Sequence, residues 1–82
     1  ENAVDSSPAS KLATRMNIAI SLAAYGPCAD VLQEIRSILE DPAATTVSKG
    51  LVRSLNETGA ALAARCGTDE DQQRFERGLQ NP

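Results

Sequence analysis

The sequence predicts an all-α fold, a small four- or five-helix bundle that is dimeric, and three observations carry its helical part. Apolar residues recur at spacings of three and four along most of the chain, most regularly at Val31, Leu32, Ile35, Ile38 and Leu39. Pro, Gly and capping-type residues interrupt that pattern at Ser7-Pro8, Tyr25-Gly26-Pro27, Asp41-Pro42 and Gly67-Thr68. No stretch shows the period-two alternation of a half-buried strand.

Residues 1–7 are polar and aperiodic and read as a flexible lead-in to a single helical domain over 8–82. Ser7 is placed as the N-cap of the first helix and Pro8 at its first position, where a missing N–H costs nothing. Leu12, Met16, Ala19, Ile20 and Ala23 form its apolar stripe, widened by Ile18 and Leu22, until Tyr25-Gly26-Pro27 stops it. The second helix runs from Cys28 to Glu40, with Asp30 opposing the positive end of its dipole. Residues 43–46 read as a connection, and Thr45 or Thr46 as the cap of a third helix carrying Val47, Leu51, Leu55, Leu62 and Cys66. Gly59 within it marks a close helix crossing or a bend, and Gly67 ends it. Thr68-Asp69-Glu70-Asp71 is an N-terminal signature, a hydroxyl followed three positions on by an acid, and opens a short last helix with Phe75 and Leu79 on one stripe.

Length limits the core. A chain of 82 residues buries only about 60 to 65% of its unfolded surface. The hydrophobic share is 41%, but the aromatics are Tyr25 and Phe75 alone, so the core is built of Leu, Ile, Val and Ala. Such a domain calls for a staple or a partner copy. Cys28 and Cys66 allow an intrachain bridge, an interchain bridge or free thiols. The first possibility suits an oxidising, extracellular compartment. A chain that begins at Glu1 without Met fits a mature, secreted product or an excised fragment.

Composition narrows the function classes. The net charge is −3 and the bases are dispersed, which argues against nucleic acid as a partner. No run approaches the roughly 18 to 20 apolar residues of a membrane span. With no histidine, Ser-His and Cys-His nucleophile arrangements and His-ligated zinc are excluded. The acids Glu40-Asp41 and Asp69 to Asp71 lack calcium-loop spacing and read as solvated helix-terminal charges. The glycines are isolated, so no phosphate loop is present. Catalytic residues, metal ligands, a cofactor and a small-molecule substrate are therefore not expected. Asn56-Glu57-Thr58 matches the N-glycosylation triplet, inside a helix where such triplets often stay unmodified. The residues assigned to a packing or dimer face are Leu12, Met16, Ile20, Val31, Leu32, Ile35, Ile38, Leu39, Leu51, Leu55, Leu62, Phe75 and Leu79.

Three segments, in order, carry a family resemblance: Ser6-Ser7-Pro8-Ala9-Ser10 with Arg15-Met16 and Ala19 to Leu22; Gly26-Pro27 with Leu32 and Ile35; and Leu51 to Glu57 with Ala61-Leu62 and Gly67. Together they resemble the non-repetitive C-terminal domain of spider silk proteins, the spidroins. The stretch that holds an interchain Cys in many family members reads Val47-Ser48-Lys49 here, so that covalent link does not carry over. What the resemblance implies is a homodimeric bundle that keeps silk protein soluble in storage and orders its assembly into fibre. It also implies an ion pair between Arg15 and Glu57. Without histidine, a response to acidification would rest on carboxylates, with Glu57 first and an onset near about pH 4 to 5. Two other readings stand beside it: a secreted helical module or inhibitor that docks on a foreign partner, and a small carrier of an apolar ligand.

Overall fold

The computed structural model describes residues 8–80, so the lead-in and the Ser7 cap lie outside the described residues. Four α-helices follow one another: α1 (Pro8–Leu22), α2 (Cys28–Glu40), α3 (Lys49–Cys66) and α4 (Asp69–Gln80), with a 3-10 turn over Pro42–Thr46 between α2 and α3. No strand occurs among the described residues. The fold is the all-α bundle that the spacing predicts.

The helix boundaries follow local chemistry. After α1, the N–H groups of Tyr25 and Gly26 both turn back to the Leu22 carbonyl, which closes the helix and points the chain toward Pro27. The segment before α3 departs from expectation. Pro42 fixes φ at its start, and the Asp41 carboxylate accepts the Ala43 N–H at 2.9 Å, which tightens residues 42–46 into a 3-10 turn. The hydroxyls of Thr45 and Thr46 donate to the carbonyls of Pro42 and Ala43 within that same turn and do not cap α3. Ser48 is the cap instead, its Oγ accepting the Leu51 N–H at 3.3 Å. Val47 therefore precedes α3, in the N′ position of a hydrophobic staple whose N4 partner position is Val52.

At α4 the predicted signature forms a full capping box. Thr68 Oγ1 accepts the Asp71 N–H and Asp71 Oδ2 accepts the Thr68 N–H, each at 3.2 Å. Asp71 is not the solvated terminal charge expected of it. It is buried, 8% exposed, because Arg36 of α2 also closes over its carboxylate.

The core is shared by all four helices. Leu12, Met16 and Ala19 of α1, Val31, Leu32, Ile35 and Ile38 of α2, Leu55, Leu62 and Ala63 of α3, and Phe75 of α4 are buried together, with Val47 beneath the 3-10 turn. Helix α3 is the hub, packing against α1, α2 and α4. Gly59 marks a helix crossing, and α3 runs unbroken through it. A Cβ at Gly59 would stand 2.6 Å from Phe75 Cε1, so hydrogen alone lets the ring lie on the α3 backbone. One turn away the relation is reversed, with Gly78 of α4 making room for the side chain of Asn56 on α3. These contacts step in opposite directions along the two helices, which makes α3 and α4 antiparallel.

Cys28 and Cys66 are bonded to each other within the chain, 38 residues apart. The bridge ties the first residue of α2 to the last residue of α3. In the chain-entropy model a loop of this size stabilises the fold by about 4 kcal/mol.

Candidate functional site

The residues assigned to a packing or dimer face are largely enclosed within the single chain. Leu12, Met16, Val31, Leu32, Ile35, Ile38, Leu55, Leu62 and Phe75 are buried, and Ile20, Leu39 and Leu51 are partly buried against them. Leu79 is half-buried at the edge of a groove described below. The nine buried side chains close the core of the single chain, and Ile20, Leu39, Leu51 and Leu79 keep part of their surface exposed.

What remains outside is a different set. Among the described residues, Ile18, Leu22 and Tyr25 are the large hydrophobic residues left exposed, at 53%, 46% and 89%. Ile18 and Leu22 lie one turn apart on the solvent side of α1, and Tyr25 follows in the turn that closes on the Leu22 carbonyl. The α1 stripe that the sequence shows therefore divides in two. Leu12, Met16 and Ala19 enter the core, whereas Ile18 and Leu22 point away from it. Apolar residues scattered singly on a surface are ordinary, but these three lie close together in sequence, at the end of α1 and in the turn that follows it.

The charged groups pair in a pattern the resemblance did not imply. Arg15 does not meet Glu57. Its Nε and Nη2 donate to Glu34 Oε2 at 3.1 and 2.9 Å, joining α1 to α2, while Glu57 pairs with Arg53 one turn away on α3, at 3.7 Å. The reason is geometric: α2 brings a carboxylate to the flank of α1 that carries Arg15, and Glu57 lies on a different helix where its own i−4 neighbour is the nearer cation. Two further pairs bind α4 to α2. Arg36 Nη1 reaches Asp71 Oδ1 at 3.0 Å and Oδ2 at 3.2 Å, and Arg74 Nη2 reaches Glu40 Oε2 at 3.0 Å. The Asp71 carboxyl is held below the ordinary aspartate range by the Thr68 backbone N–H first, and by the Arg36 guanidinium and the Thr68 hydroxyl, against the opposing effect of burial.

Asn56 is buried at 5% exposure and donates from its amide to the Val52 carbonyl at 3.0 Å. The side chain of the glycosylation triplet is thus enclosed between α3 and α4, which withholds it from modification in the folded protein.

Grooves open on the surface of the described residues. One, about 420 Å³, lies between the end of α1 and the second half of α3, where Ile20 and Ala23 face Thr58 and Ala61. Another, about 380 Å³, lies between the 3-10 turn, the start of α3 and the end of α4. No cluster of three or more His, Cys, Asp or Glu side chains able to hold a metal occurs among the described residues. No helix among them is long and apolar enough to cross a membrane. No protein family, curated protein or solved structure matches this chain.

Proposed function

We propose that this chain is a non-catalytic, disulfide-stapled helical module that acts by protein–protein association, first with a second copy of itself, through the apolar edge of α1. The observation that carries the reading is the exposure of Ile18, Leu22 and Tyr25, whereas the other large apolar side chains among the described residues are buried or partly buried. Removing such an edge from water stabilises an interface by roughly 25 cal/mol for each Å² of apolar area. The Cys28–Cys66 bridge fits an oxidising, extracellular setting. In its specific form the proposal is a spidroin-like assembly domain that keeps a larger protein soluble and aligns its chains. That form rests on the three sequence segments between residues 6 and 67.

One feature favours the second reading, a secreted module that docks on a foreign partner. The core closes within one chain, so a protomer does not require a second copy to bury its apolar residues. Association through α1 is on either reading reversible and concentration-dependent.

Light scattering on the eluting peak across a hundredfold dilution tests the choice. The expected result is a dimer that dissociates on dilution and is lost in Leu22→Asp, with the helical circular dichroism of that variant unchanged and its unfolding midpoint equal to that of the parent chain at concentrations where the parent is monomeric. A monomer at every concentration would overturn self-association and leave the foreign-partner reading.

A further inference from the structure

We propose that the groove between the 3-10 turn, the start of α3 and the end of α4 binds a small amphipathic monoanion, an alkyl carboxylate whose tail lies on the apolar floor and whose head meets Lys49 and Arg53. The inference is independent of the association surface, which lies on α1.

The groove encloses about 380 Å³, within the range of about 300 to 1,000 Å³ typical of small-molecule sites. Its floor is aliphatic, with Val47, Val52 and Leu79 drawn from three different segments of the chain. Lys49 and Arg53 stand one turn apart on α3 at its edge, and no acidic side chain lines it. In a protein of net charge −3, that is a local concentration of positive charge beside apolar surface. The α1–α3 groove lacks this character, since Glu57 and Arg65 line it together.

The two cations are also available. Lys49 makes no ion pair among the described residues, and Arg53 is held only by the 3.7 Å contact to Glu57, with both side chains more than half exposed. Exchanging that contact for a carboxylate that bridges Lys49 and Arg53 costs little, because an exposed i,i+4 pair is weak. The backbone at Gly50 faces the groove, and a Cβ built there meets nothing within 4 Å. Residue 50 is exposed where it lines the groove, so a large side chain introduced there has room beside the groove without displacing the fold.

The test is titration of the protein with octanoate and, separately, with octanol, followed by calorimetry and by amide chemical shifts. The expected result is saturable one-to-one octanoate binding with a dissociation constant at or below about 1 mM, with shifts confined to residues 44–53 and 78–79. Octanol should bind at least about tenfold more weakly. The double variant Lys49→Gln/Arg53→Gln should lose about tenfold for octanoate and leave octanol unchanged, and Gly50→Phe should abolish both while keeping the helical spectrum. Non-saturable binding, equal affinity for octanoate and octanol, or shifts centred on Ile18 and Leu22 would overturn the proposal. Should Gly50→Phe unfold, the charge variant decides alone: octanoate affinity unchanged in it excludes the site.

Discussion

Arg36 and Asp71 are joined by two hydrogen bonds from one guanidinium nitrogen, at 3.0 and 3.2 Å, and the same carboxylate closes the capping box of α4 on Thr68. One buried acid thus holds the start of the last helix and anchors it to α2. Asp71→Ala should destabilise the protein by about 1.5 to 3 kcal/mol, the range for a lost charge-assisted bond, with the lost half of the capping box adding to it. Arg36→Ala should cost less, because it leaves the capping box intact. Equal losses in chemical denaturation would show that the cap contributes nothing.

The same carboxylate sets a pH dependence. Its folded-state pKa is depressed, so the unfolded chain binds more protons and Asp71 contributes stability above its unfolded value of about 3.9. That contribution is lost as pH falls below about 4 through the folded value. Asp71→Asn should flatten this acid limb of the stability curve while lowering stability at neutral pH. Parallel acid limbs for the two proteins would remove Asp71 from the account.

Gly59 and Gly50 should respond oppositely to alanine. Both sit in α3, where helix propensity favours Ala by up to about 1 kcal/mol. At Gly50 the new methyl group meets open space, so Gly50→Ala should raise the melting temperature by several degrees, on the order of 4 to 8 °C per kcal/mol for a domain of this size. At Gly59 it would overlap the Phe75 ring, and Gly59→Ala should lower stability by about 1 to 3 kcal/mol. Calorimetry on both variants checks the sign of each.

Double-mutant cycles separate the two pairings of Arg15. The cycle with Glu34 should give a coupling of up to about 1 kcal/mol, as for an exposed ion pair, and the cycle with Glu57 should give none. A measurable Arg15–Glu57 coupling would restore the pair that the resemblance implies.

Reducing the bridge, or replacing Cys28 and Cys66 with Ser, should lower stability by about 4 kcal/mol while leaving the helical spectrum in place at low temperature. Loss of only a few tenths of a kcal/mol would mean that the unfolded chain is already compact around this loop.

Much of the architecture could be read along the chain, because its signals are local. Apolar spacing marks α2 and the inward stripe of α1, and Thr68 with Asp71 marks the start of α4, since each depends on residues within a turn or two of one another. The start of α3 is not fixed by the sequence pattern, because three hydroxyl residues compete there. Thr45 and Thr46 are consumed by their own turn, and the choice of Ser48 depends on how Pro42 and Asp41 bend the chain before it. The exposed apolar surface is less legible. Ile18 and Leu22 carry the same hydrophobic character as Ile20 and Met16, and which of them face outward depends on where α2 and α3 lie against α1. Likewise Asp71 resembles Asp69 until Arg36 arrives from α2, and Asn56 looks like a surface amide until Gly78 of α4 covers it. Periodicity and capping are properties of neighbours in sequence, so they set the helices. Burial, charge pairing and the residual apolar edge arise from side chains brought together by helix crossing, and a one-dimensional pattern does not contain the crossing.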